Sequence, residues 1–141
     1  MVRIQEQGRP YGCDFEKVSV LANTHSALLV GEHAKTVGLS EAYTVAMFEA
    51  YFRDGKNIGD LSVVESVAKS VGIHKDAVES AIKNPVFEEN LNRNTRWGHE
   101  IGVNSVPTFI INDKYMMVGA QPPEQFENVF RQLESGGVPL G

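Results

Sequence analysis

The sequence predicts an α/β fold in which a long helical stretch precedes a β-hairpin and one last helix. Three observations lead there. Apolar residues recur every three or four positions across residues 23–102, punctuated by capping residues and glycines. Two β-branched and aromatic runs, Thr108 to Ile111 and Tyr115 to Val118, flank the turn-forming Asn112-Asp113. Pro122-Pro123 then opens a segment whose Phe126, Val129, Phe130 and Leu133 fall on one helical face.

Residues 1–22 are expected to be irregular or extended, with Glu16 to Leu21 (EKVSVL) as a weak strand candidate. Asn23 or Thr24 caps a first helix carrying Ala27, Val30, Ala34 and Val37, which Gly38 stops. Ser40 caps a second, with Tyr43, Ala46, Met47 and Ala50 as its stripe and Gly55 as its end. Asp60 caps a third, in which Val63, Val64, Val67, Ala68 and Val71 are periodic before Gly72. A short fourth helix runs from about Lys75 to Lys83. A fifth opens at Asn84-Pro85, where proline loses only a donor that the first turn leaves unused, carries Phe87, Leu91 and Trp97, and ends at Gly102. The organisation expected is an N-terminal segment (1–22), a helical subdomain (23–102), a ββα part (103–135) and a loose tail (136–141).

Composition narrows the function. At 141 residues the chain is long enough to bury a core without disulfides or a metal. A net charge of −5 and a pI near 5.3 favour neither nucleic acid nor an anionic membrane. No run approaches the roughly 18 apolar residues of a membrane span, and MVRIQEQGRPYG lacks a signal-peptide centre. A cytoplasmic protein with no membrane and no nucleic-acid partner is the expectation.

The one cysteine, Cys13, allows neither a C-x-x-C redox pair nor a multi-cysteine zinc site within this sequence. It is expected as a small, half-buried hydrophobe. His25 and His33 lie about two helical turns apart, too far to share a metal, and no H-E-x-x-H, G-x-S-x-G or phosphate-cradling glycine loop occurs. No cofactor, no metal and no catalytic residue are expected. Glu88-Glu89 point apart on a helix and read as solvated surface. Tyr43, Phe48, Tyr51 and Phe52 cover more than one helical face and read as core and inter-helix packing, with a ligand pocket or subunit interface as the sharper alternative.

Val106-Pro107-Thr108 remains. A proline at the mouth of the most hydrophobic strand belongs to an edge or first strand position. Alternatively Ser105-Val106-Pro107 forms a tight loop with a cis bond that offers the Val106 backbone to an extended peptide. The hairpin also needs covering, because two strands alone are marginal in water and leave both edges open.

The ordered series of segments resembles a known family. "IGVNSVPTFIINDKYMMVGAQPPEQFENVFRQL", residues 101–133, resembles the C-terminal part of DsbA-like thioredoxin-fold proteins, nearest to the FrnE-type predicted dithiol–disulfide isomerases. "NTHSALLVGEHAKTVG" and "AMFEAYFRDGKNIGD" are similar to that group's helical insertion, and "GCDF" to the segment leading into it. The resemblance covers residues 12–133 and implies an incomplete thioredoxin-like fold without the β-α-β unit that carries C-x-x-C. It implies that Pro107 is the cis-proline, that the Val106 backbone pairs with substrate and that Thr108 follows on the strand. Protein or peptide thiols and disulfides are the implied substrates, and this chain, lacking the cysteine pair, is expected to be inactive by itself in dithiol–disulfide exchange. Two other functions stay open: a non-catalytic assembly module, as a homodimer or with an N-terminal partner segment completing the sheet, and the glutathione-dependent branch resembling 2-hydroxychromene-2-carboxylate isomerase.

Overall fold

The computed structural model describes residue 6, residues 8–13, residue 15 and residues 17–136. They form six α-helices and one antiparallel hairpin, the α/β class the sequence predicts. Contacts divide the chain into two compact units, with the boundary between Arg93 and Asn94.

The first unit is helical. A short 3₁₀ turn, Arg9–Tyr11, precedes it. Helix α1 is His25–Thr36. Asn23 supplies its cap: the Asn23 side-chain oxygen accepts from the His25 N–H at 3.0 Å, whereas Thr24 makes no side-chain cap. Helix α2, Ser40–Phe48, takes Ser40 as its first residue rather than its cap; the flanking Leu39 makes no side-chain bond. The same rod continues as a π-helical stretch, Glu49–Arg53. Gly55 ends it at φ +68°, where an added Cβ would collide with the Lys17 backbone, so both conformation and space require glycine.

Helix α3 is Leu61–Ser70, capped by Asp60, whose carboxylate accepts from the Ser62 N–H at 2.9 Å. That bond, and a second from the Ser62 hydroxyl, hold the Asp60 carboxyl below its ordinary pKa. Helix α4 is Lys75–Ile82 and helix α5 is Pro85–Glu100. Pro85 stands at the first helical position, and the Asn84 side chain accepts from the Val86 N–H at 2.9 Å.

Helix α1 packs against α2, α3 and α4. Leu29 and Val30 on α1, Val64 on α3 and Val78 on α4 are the largest fully buried side chains. Tyr43 reaches across from α2, its hydroxyl donating to the Ala27 carbonyl oxygen at 3.0 Å, and burial pushes its pKa well above the ordinary 10.0. Glu32 is the buried charged residue of this core. Lys35 pairs with one of its carboxylate oxygens, and the Asn90 side-chain amide of α5 donates to the other at 3.1 Å. Of the weak strand candidate, Glu16 lies outside the described residues and Lys17 to Leu21 form no strand. The Val18 N–H donates to the Phe15 carbonyl at 3.3 Å, and the Tyr51 hydroxyl donates to the Val20 carbonyl oxygen at 2.8 Å, bonds outside any sheet ladder.

The second unit begins within α5 and holds the hairpin. Strand β1, Thr108–Ile111, pairs antiparallel with strand β2, Tyr115–Val118, with Phe109 opposite Met117 and Ile111 opposite Tyr115. The turn closes where the Lys114 N–H donates to the Ile111 carbonyl at 3.2 Å. Its central residues, Asn112 and Asp113, have φ of 58° and 55°, the left-handed pair of a type I′ turn. Helix α6 is Pro123–Glu134. It covers one hairpin face: Phe126 meets Phe109 edge-on at 4.9 Å between ring centroids, and Val129 and Met117 are buried. Residues 137–141, most of the expected loose tail, lie outside the described residues.

Leu29→Ala leaves a cavity in the helical core and is expected to cost about 2–5 kcal/mol in urea unfolding. Tyr43 gives a pH dependence. Its phenol is neutral in the fold well beyond the pH at which an unfolded phenol ionises, so its contribution is complete below pH 10.0 and is lost as pH rises above it. Tyr43→Phe is therefore expected to cost about 1 kcal/mol at neutral pH and to flatten the loss of stability between about pH 9 and pH 11.

Candidate functional site

The chemistry-bearing residues do not converge. Among the described residues no three His, Cys, Asp or Glu side chains are grouped to hold a metal. His25 pairs with Glu88 at 3.0 Å, an exposed contact between α1 and α5, while His33 meets the edge of Phe87. His74 flanks the start of α4 and His99 lies near the end of α5. No described helix is long and apolar enough to cross a membrane.

Cys13 departs from expectation. The thiol is exposed rather than half-buried. It follows the 3₁₀ turn directly after Gly12, and its sulfur approaches the Tyr11 carbonyl at 3.9 Å instead of entering a core.

The Ser105–Thr108 loop is the feature that the sequence singled out and the fold builds. The turn at the end of α5 aims the chain away from the helix: the Val103 N–H donates to the Gly98 carbonyl at 2.9 Å, and Gly102 takes φ +83°. Val106-Pro107 is a cis peptide bond. Two hydrogen bonds fix the loop to the hairpin. The Gly119 N–H donates to the Pro107 carbonyl at 2.7 Å, and the Thr108 hydroxyl donates to the Ser105 carbonyl at 2.8 Å. Val106 is left 90% exposed, the most exposed large hydrophobic side chain among the described residues of this unit. Pro107 is also exposed and Thr108 is half-buried. An apolar side chain held out in water by a fixed loop, next to a strand edge with no partner in the described residues, is suited to contact an extended peptide.

Other features carried weaker sequence signals. Glu32 is not singled out by the sequence pattern, and its partner Asn90 lies 58 positions away. Leu29 falls outside the periodic stripe, yet α1 is enclosed from three sides and buries it. The π-helical stretch shifts the phase of Tyr51 and Phe52, which no helical periodicity would indicate.

Thr108→Val keeps the strand-favouring shape and removes the hydroxyl. Faster hydrogen exchange of the Gly119 amide, which donates to Pro107 in the same loop, is expected, with exchange in α1 unchanged and a cost of about 1 kcal/mol or less.

Comparison with known proteins agrees with this architecture. YwbO, an uncharacterized protein of Bacillus subtilis (strain 168), is 28% identical over 115 residues, covering 81% of this chain and 57% of the relative. The crystal structure of a probable DsbA oxidoreductase from Streptomyces coelicolor superposes with a TM-score of 0.84 at 22% identity, over 99% of this chain and 61% of that one. The chain thus spans less than two thirds of the length of either protein. The profile of the DSBA-like thioredoxin domain matches residues 1–131, and the chain belongs to that family.

Proposed function

We propose that this chain supplies the peptide-docking side of thiol–disulfide exchange, with Val106, Pro107 and Thr108 as the substrate-binding residues. The observation that carries the reading is the loop itself: Val106 stands exposed beside the cis bond, on a segment anchored to the hairpin at Pro107 and Thr108. Membership of the DSBA-like family supports protein or peptide thiols and disulfides as the class of substrate. An extended substrate would lie along the loop with its backbone hydrogen-bonded to Val106 and its cysteine nearby.

Exchange itself needs a thiolate that attacks a disulfide sulfur and a second thiol that resolves the mixed disulfide. With one cysteine, the 141-residue sequence does not hold that pair, and Cys13 belongs to the other compact unit. The chain by itself therefore docks substrate without turning it over. A second reading, assembly by edge pairing with another copy or a partner strand, is favoured by the outer edges of β1 and β2, which have no strand partner among the described residues.

A short extended peptide carrying an alkylated cysteine tests the docking reading by fluorescence anisotropy with the 141-residue chain. Val106→Pro removes the Val106 N–H and is expected to weaken binding about tenfold, the worth of one good hydrogen bond; Val106→Thr, which keeps the backbone donor, should bind as before. Equal binding by both variants, at unchanged circular dichroism, would overturn the docking role. Catalytic reduction of insulin disulfides by this chain would overturn the division of labour.

A further inference from the structure

The helical unit contains a second concave feature unrelated to the loop. A cavity of about 410 Å³ opens between α1 and α2, within the 300–1,000 Å³ typical of small-molecule sites. Its walls are Leu21, Leu28, Met47, Phe48 and Phe52, and among the described residues no Asp, Glu, Lys, Arg or His lines it, in a chain in which 22% of residues are charged. The rim is exposed: Leu28 is 52% and Phe48 58% accessible.

Four of the lining residues carry hydroxyls. Those of Tyr43 and Tyr51 donate to the Ala27 and Val20 carbonyls, which leaves Thr24 and Thr44 as the hydroxyl-bearing residues for a ligand. Gly31 of α1 also lines it, and a Cβ added there would stand 3.7 Å from the Tyr43 ring. The π-helical stretch carries Tyr51 and Phe52 into the wall, edge-on to each other at 4.9 Å between centroids, and such stretches recur at functional sites.

From these features we infer that the α1–α2 cavity is a binding site for an uncharged, mainly apolar small molecule, ring-bearing and with one or two hydrogen-bonding groups. Charge selects the class. An ion entering this cavity would lose water and find no counter-charge among the described lining residues, whereas a neutral molecule gives up little and gains apolar burial. Aromatic edges and faces favour a flat ring over a flexible chain.

Nile red, a neutral ring dye, tests the site by fluorescence titration of the 141-residue chain. Saturation at one dye per chain is expected, with displacement by neutral 1-naphthol and none by 1-naphthalenesulfonate at equal concentration. Thr44→Arg, an exposed position on the lining, should weaken the dye about tenfold by placing a charge against apolar walls. Val86→Arg, 62% exposed and outside the lining, should leave it unchanged. If Thr44→Arg unfolds the chain, Phe48→Ala removes an exposed wall residue and is expected to weaken the dye likewise. Equal displacement by the sulfonate, insensitivity to the lining variants, or light scattering showing that a second copy fills the cavity would each overturn the assignment.

Discussion

The burial of α1 is the constraint on which the helical unit depends. One twelve-residue helix is covered by α2, α3 and α4, so its side chains must serve several contacts at once. Leu29 and Val30 face the apolar interior, the Ala27 carbonyl receives Tyr43, and Glu32 is enclosed with Lys35 and Asn90. No buried side-chain nitrogen or oxygen among the described residues lacks a partner. An enclosed carboxylate is costly unless charge and hydrogen bonds compensate it, and here both are present. The pairing also selects where α5 may begin, since Asn90 must stand opposite Glu32 for the oxygen to be satisfied.

The hairpin unit follows a different logic. It has little apolar interior of its own, chiefly Met117 and Val129 with the Phe109–Phe126 contact. Phe109, Met116, Val118 and Phe130 all remain more than a third exposed. Two strands of four residues supply few ladder bonds. Its definition comes from backbone chemistry: a tight turn at one end and the Pro107–Gly119 bond at the other. Such a unit offers strand edges without a partner among the described residues, and apolar area beside them, and a docking or completing strand would use both.

Much of this was legible in the residues. The helix boundaries marked by Asp60, by Asn84-Pro85 and by Pro122-Pro123 coincide with the observed ones because caps and proline act within one turn. Val106-Pro107 was singled out because proline at a strand mouth is rare enough to need a reason. Cys13 was misjudged because exposure depends on where the chain bends, and Gly12 turns it outward. The aromatic cluster on α2 was visible as a cluster, yet its geometry was not. The π-helical stretch sets where Tyr51 and Phe52 point, and the Tyr51 hydroxyl is held by Val20, a partner distant in sequence.

The left-handed pair at Asn112-Asp113 has a consequence for the opposite end of the hairpin. L-residues accept that conformation reluctantly, and Asn and Asp are the side chains that tolerate it best. Sliding the pairing by one position would force Lys114 or Ile111 into it and would turn Phe109 away from Phe126, exchanging inner and outer faces along both strands. The tip therefore acts as an origin from which positions are counted. The height at which Val106 stands is determined by the number of residues to that origin, so a change in strand composition is tolerable where an insertion of a single residue is not.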